Sequence, residues 1–432
     1  MMSTDIFLFE GKHFVRSPFK VVALLLFVLA GVYGLHHGAS LYHKQTAEIE
    51  KIKGQVEEDR QEYMANYDMD PPSPRSSSPI LAIWFNYIYH FKEPSSAMVY
   101  SIGQAEQYGF YKRVSLRASP YDADMTQEIA NPERLQVGTL DYAFVLIFLG
   151  PLLLLLLLYN LKSFEFEQGF LPLIQIQSTS ARRWLLSRIF FYFSLVFGTN
   201  LLLVLYGGVL TGVFANEASA LGQMILFLAG YLLLWTLLFS IILWVGKTIL
   251  VHALSMVGVW LLLTFVIPAA VNQGISISQP ANLMTDLIEV RDQREEVYER
   301  PDSVILGQLY SLFPDLSQTS LSGKEEEIGL AKNPGAYALV NDLMKTGVEP
   351  IIEDSKRKNR MVRGSYGFNP VTFFQNQLNA LAKTHYKDYQ TYREEIQVMI
   401  DNQLHYTIFE TWNQVEVDKE RYNEYYEILK PE

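Results

Sequence analysis

Long apolar runs alternate with charged stretches along this chain. The runs at 20–41, 140–160, 187–213, 222–245 and 249–272 each reach or exceed the ~20 residues that a helix needs to cross a ~30 Å hydrocarbon core. The second contains PLLLLLLLYNL from Pro151, a pattern with almost no counterpart in a water-soluble fold. The first ends in His36 and His37 without a convincing small-residue cleavage site, so it reads as a retained anchor. Short links, Ala215 to Leu221 and Gly246 to Thr248, make the last three runs antiparallel neighbours.

The polar stretches read as helices and loops. A charged helix is expected from Gln45 to Asp68, ending at PPSPRSSSP from Pro71, and the rest of 43–139 reads as short helices and loops. After residue 273, helices are expected over Ala281–Glu299, Ile351–Val362, Pro370–Thr384 and a long run from Tyr386 to Leu429, with Asn369 as an N-cap before Pro370. Tyr386, Tyr389, Tyr392, Tyr422, Tyr425 and Tyr426 fit either a recognition surface or a packing stripe. The segment Ile6 to Phe19 spaces Phe7, Phe9, Phe14 and Phe19 around Lys12 and Arg16, as in a helix lying in the headgroup layer; a disordered tail is the alternative.

Of the 432 residues 49% are hydrophobic and 13% aromatic, which fits a membrane protein with large water-exposed parts. Lys12, Arg16, Lys20, Lys162, Arg182, Arg183, Arg188 and Lys247 all fall on one side of the alternating spans, and the positive-inside rule makes that side cytoplasmic. The division is then 1–19, a cytoplasmic interfacial segment; 20–41, the first span; 42–139, an extracytoplasmic region; 140–272, spans two to five with a cytoplasmic segment at 161–186; and 273–432, a second extracytoplasmic region. The last carries 26 acidic and 17 basic residues, most of the net charge of −11, which disfavours nucleic acid and anionic lipid as its partners.

Between the second and third spans lies NLKSFEFEQGFLPLIQIQSTSARRWLLSR. Glu165, Glu167 and Gly169 come first, then Leu171, Leu173, Ile174 and Ile176 at helical spacing, then a Ser/Thr break before Arg182, Arg183 and Arg188. That is an amphipathic turn leading into a membrane helix. The arginines also have a plainer reading, as determinants of topology that bind lipid headgroups. Pro151 and Asn200 are candidates for a pathway or gate, against the plainer readings of a packing kink and a bond to a neighbouring helix. Asp141 reads as a solvated interfacial residue.

There is no cysteine, hence no disulfide or thiolate site. No Walker phosphate loop, nucleophile elbow or His-Glu-x-x-His pair occurs. His36, His37, His90, His252, His385 and His405 have no metal-ligand spacing. Lys324 to Glu327 reads as a solvated loop. A membrane-embedded enzyme would need a convergent catalytic set that these residues do not form.

FEGKHFVRSP, SIGQAEQYGF, NPERLQVGTLDYAFVL, SFEFEQGFLPLIQIQSTSARRWLLSR and FNPVTFFQNQLNALAKTHYKDYQTY, in this order around the spans, resemble the permease subunits of type-2 ABC transporters. The resemblance extends over nearly the whole chain and is nearest to the branch of permease components of multi-copper enzyme maturation systems. It implies an all-α polytopic membrane protein of about five spans with two mainly helical extracytoplasmic regions. The segment from Phe164 to Gln177 would be a coupling helix docked in a cleft of a separate ATPase. Leu171, Leu173, Ile174 and Ile176 would then be the anchors, with Glu165 and Glu167 setting register.

The implied protein is a non-catalytic subunit in the inner membrane with its N-terminus cytoplasmic. Its implied partners are a cytoplasmic ATPase dimer, a second permease chain, the same or related, and membrane lipid. ATP and Mg enter only through the ATPase, no cofactor or metal binds the chain directly, and export of an unidentified substrate is the expected direction. Such permeases finish with a sixth span, whereas Trp412 to Glu432 is charged and tyrosine-rich; truncation is the expectation. The competing class is a membrane-anchored scaffold for an extracytoplasmic partner, without transport.

Overall fold

The computed structural model describes residues 4–69, 76–120, 140–170, 172, 176, 180–246, 248–278, 293–324 and 332–431. Among the described residues 78% are helical, and five helices are long and apolar enough to cross a membrane. It is a polytopic, membrane-embedded α protein.

Helix α1 (Thr4–Val15) is followed by α2 (Pro18–Met64). Pro18 stands in the first turn, where its missing N–H costs nothing. At 1.5 Å per residue the 47 residues of α2 extend about 70 Å, more than twice the apolar thickness. The expected first span and the charged helix after it are therefore one rigid rod, because no helix breaker separates them. The second span, α4 (142–158), consists of Tyr142–Phe144, a π-turn Val145–Leu149 and Gly150–Leu158; α3 (Pro79–Trp84) precedes it. A short α5 (Ser163–Glu167) leads toward α6 (Ala181–Thr211), α7 (Val213–Asn216), α8 (Ala218–Val245) and α9 (Ile249–Ser278).

The second span is the hub of the bundle: 67% of its most apolar stretch is buried, against 17% for α9. The hydrogen bond that its proline cannot make is compensated. Pro151 has no N–H to give to the Ile147 carbonyl, and the Tyr231 hydroxyl of α8 donates to that oxygen at 2.7 Å. Trp260 Nε1 of α9 donates to the adjacent Phe148 carbonyl at 3.3 Å. A π-turn beside a proline exposes carbonyls that neighbouring helices must satisfy in lipid, and here they do. A second π-turn, Leu262–Val266, brings Phe265 within 5.9 Å of Phe148.

One end of the bundle carries the folded polar regions and is here termed the domain end; the other is the basic end. At the domain end, α2 packs backbone to backbone on its neighbours. A Cβ on Gly34 would stand 2.6 Å from the Asp141 carbonyl carbon, and one on Gly38 would stand 2.7 Å from the Val99 oxygen. Small residues permit this approach. Asp141 is buried rather than solvated: it caps α4 through Phe144 N at 2.7 Å and also accepts from Ile102 N at 2.8 Å. The second bond ties a polar region to the span and accounts for the burial.

The polar regions form one body. The described part of the tail holds α10 (Asp302–Leu312), α11 (Lys332–Gly364), α12 (Pro370–Leu381), α13 (Tyr386–Trp412) and α14 (Lys419–Leu429). A core of Tyr63, Ile83, Ile88, Val114, Tyr392, Ile396, Ile400, Tyr422 and Tyr425 joins the far end of α2 to α13 and α14. The tyrosines Tyr389, Tyr392, Tyr422 and Tyr425 are core, and Tyr386 and Tyr426 are half-buried.

Residues 43–139 also hold a hairpin absent from the sequence reading, β1 (Tyr89–Phe91) antiparallel to β2 (Tyr111–Arg113), with Tyr89 opposite Arg113. Helix α11 runs well beyond the expected Ile351–Val362. The run expected from Tyr386 to Leu429 breaks after Trp412, where Gln414 takes φ +53 and Asp418 caps α14. Residues 279–292 and Glu325–Glu327 fall outside the described residues; 293–298 is helical.

Helix α12 leaves this body and enters the span core. Val371 and Leu378 are buried in the same apolar cluster as α4, α6 and α8, and Phe374 packs edge-on to Tyr231 at 5.0 Å.

Candidate functional site

The segment after the second span is gathered at the basic end by buried charges. Arg188, in the second turn of α6, is 4% exposed. Its Nε lies 2.5 Å from Glu10 Oε1 of α1, its Nη1 donates to the Leu161 carbonyl at 2.6 Å, and Nη1 also pairs with Glu165 of α5. The guanidinium sits over the Trp184 ring at 4.8 Å. Lys20 of α2 is buried beside it, donating to Tyr192 Oη at 3.0 Å and to the Leu157 carbonyl at 3.2 Å. Arginine suits the centre of such a cluster because its planar fork serves several acceptors at once.

Two more contacts tie α5 to the turn between α8 and α9. Lys162 Nζ donates to the carbonyls of Leu243, Trp244 and Gly246 at 3.0, 3.1 and 3.2 Å, closing the C-terminus of α8 as a cation there should. Glu167 Oε1 accepts from Ile249 N, the first amide of α9, at 2.8 Å. Thus α1, α2, α4, α6, α8 and α9 all meet at this end.

This arrangement leaves aromatic side chains of α5 exposed beside Glu167. Its carboxylates are spent within the chain, so Glu165 and Glu167 have internal partners. Phe164, Phe166 and Phe170 are instead 46%, 43% and 50% exposed. Gly169, at φ +74, turns the chain beyond α5. Ile176 is 82% exposed. Leu171, Leu173 and Ile174 lie outside the described residues. Arg182 and Arg183 are exposed, Arg182 over the Trp244 ring at 5.5 Å.

Sequence reading placed the apolar anchors at 171–176 and treated Arg188 as a topology signal. The phenylalanines were missed although SFEFEQGF places them between acids, a signal that polar partners must be sought inside the chain. Burial of Arg188 corrects its headgroup role: the matching acid, Glu10, lies 178 positions earlier, beyond any local pattern.

The two gate candidates lie away from this cluster. Pro151 is buried beside the π-turn, where Tyr231 satisfies the Ile147 carbonyl. Asn200 is fully buried, accepts from Tyr142 Oη at 2.9 Å and donates to the Val196 carbonyl at 2.9 Å, so it bonds a neighbouring helix. Among the described residues no group of His, Asp and Glu has a metal-holding arrangement. Compared with known protein families, with curated proteins and with solved structures, the chain matches none.

Proposed function

We propose that the chain is the membrane-spanning, non-catalytic subunit of an ATP-driven type-2 ABC transporter, set in the cytoplasmic membrane with its N-terminus and basic end in the cytoplasm. The observation that carries this reading is the exposed aromatic group on α5, whose two carboxylates are both bonded within the chain. At the basic end Glu165 pairs inward with Arg188, Glu167 is exposed but held by the Ile249 amide, and Phe164, Phe166 and Phe170 are exposed; exposed aromatics on a braced element are the usual anchors of a protein interface. The brace matters as much as the anchors. Force applied at Phe164 and Phe166 passes through Glu165 and Arg188 to α6 and α1, and through Lys162 and Glu167 to α8 and α9.

In this reading a cytoplasmic ATPase dimer receives 164–177 from each of two permease chains and supplies the ATP and Mg chemistry. The five spans transmit its closure to the polar regions on the far side, with export as the direction. The test is copurification from native membranes of the intact chain, Phe166→Asp and Ile176→Asp. An ATPase that accompanies the intact chain and is lost from the variants is the expected result. Its absence from the intact chain, or its retention by both variants, overturns the reading in favour of a scaffold without transport.

A further inference from the structure

Among its described residues the acidic tail carries a basic face where the polar body meets the bundle. Around the last turns of α11, Arg357, Arg360, Met361, Arg363 and Gly364 are all exposed, whereas Ile351, Asp354, Ser355, Lys358, Asn359 and Val362 are buried or half-buried. At 100° per residue the first set occupies one arc and the second the opposite arc. The lysines of this stretch are neutralised: Lys356 faces Glu353 and Glu394 at 3.9 and 3.5 Å, and Lys358 faces Asp354 at 3.0 Å. Arg357, Arg360 and Arg363 have no acidic partner among the described residues.

The surroundings place this face beside the helix that enters the span core. Helix α11 runs antiparallel to α13, since Lys345 pairs with Asp401 at 2.9 Å while Lys356, farther along, pairs with Glu394. Its C-terminal end therefore points toward the start of α13 and toward α12, which is packed into the span core through Val371 and Leu378. The same stretch of α11 precedes Phe368, 59% exposed, and α9 reaches up to contact α11. Met361 is 39% exposed. Nearby cations include Lys383, paired with Glu217 at 3.2 Å, and Lys387; Asp388 is taken up by the His385 amide at 3.0 Å.

We propose that Arg357, Arg360 and Arg363 form a binding face for the headgroups of anionic phospholipid in the leaflet at the domain end, with Phe368 and Met361 seated in the interfacial layer. Charge complementarity and continuity with the embedded α12 commit the face to lipid. Guanidinium groups bind phosphate through paired N–H donors, and basic residues at a membrane surface attract anionic lipid strongly. The overall acidity of the tail, 26 acidic against 17 basic residues, hides this face in the composition. The inference does not rest on ATPase coupling, which belongs to the opposite end.

The full chain is placed in nanodiscs of phosphatidylcholine with a minority of phosphatidylglycerol, carrying a photoreactive benzoyl-phenylalanine in place of Phe368. Cross-linked lipid is identified by mass spectrometry. Phosphatidylglycerol should be captured at least about fivefold above its share of the disc, falling toward that share at high salt. The triple variant Arg357→Gln, Arg360→Gln, Arg363→Gln should abolish the enrichment, and the corresponding triple lysine variant should restore most of it. Capture at the bulk share by the native arginines overturns the proposal, as does cross-linking to protein instead of lipid, which would make the face a docking surface for another chain. Should the glutamine variant not fold, the native chain and its salt dependence decide alone.

Discussion

At the basic end, Arg188 draws together Glu10 and, from a second stretch of chain, the Leu161 carbonyl and Glu165. At the domain end, the closest approaches are between backbones, with α2 laid against Asp141 and Val99 at two glycines. The first junction depends on every charged member being present, because a lone ion left in a dry site loses its compensation. The second depends on the absence of atoms, because the space beside Gly34 and Gly38 is already occupied by main chain. A junction of the first kind transmits force through directed bonds between side chains. One of the second kind fixes the register of a long rod against the body that it supports.

The largest effect is expected at Arg188. Replacement by leucine leaves Glu10 and Glu165 buried without their partner and should cost about 3–5 kcal/mol, read as a lowered midpoint in thermal unfolding of the purified chain in detergent. Combining Arg188→Leu with Glu10→Gln and Glu165→Gln should recover much of the loss, since the stranded charges are then gone. Absence of recovery would mean that Arg188 acts through packing on Trp184 rather than through charge, and the contrast between the two ends would fail.

Much of this architecture is legible in the sequence. Apolar runs of span length locate the helices of the bundle, short links order the last three, and Asn369 before Pro370 announces α12. Less legible are features set by distant partners. Nothing local pairs Glu10 with Arg188, buries Asp141 beneath Ile102, or supplies Tyr231 to the carbonyl that Pro151 leaves open. The same limit explains the candidate site. Alternation in SFEFEQGF is visible, but which of its residues face inward depends on Arg188 and on the first amide of α9. The tyrosines of the tail had two readings because helical spacing alone does not say which face meets another helix; α14 packing on α13 decides it.

The steric junction can be tested next. Gly38→Val places a branched side chain where a Cβ alone would already meet the Val99 oxygen at 2.7 Å. Overpacking of this kind should cost about 1–3 kcal/mol and loosen the domain end, seen as faster hydrogen exchange at 96–102 with the basic end unchanged. Gly54, on the same helix but with nothing within 4 Å of its Cβ position, is the control. Gly54→Ala should be neutral or stabilising by up to about 1 kcal/mol, because alanine favours the helix and meets no neighbour. Equal losses at the two positions would show that glycine matters there for flexibility rather than for close approach.

The smallest effect concerns a second carboxylate that, like Asp141, bridges the domain end. Glu217 lies between α7 and α8 and accepts from Ser95 Oγ at 2.5 Å, Ser96 Oγ at 2.9 Å and Ala97 N at 3.2 Å, with Lys383 Nζ at 3.2 Å. Burial alone would push its carboxyl up, but these hydrogen bonds outweigh burial and hold it below the ordinary value of 4.5. A carboxyl that is more acidic folded than unfolded stabilises fully above pH 4.5, and that stabilisation is lost as pH falls through the lower folded value. The intact chain should therefore lose thermal stability on acidification below about pH 4.5 more steeply than Glu217→Gln. The variant should start from a lower midpoint at neutral pH and converge with the intact chain in acid. Parallel curves would remove Glu217 from the set of groups that fasten the polar body to the spans, leaving the glycine contacts of α2 and the burial of α12 to hold that end.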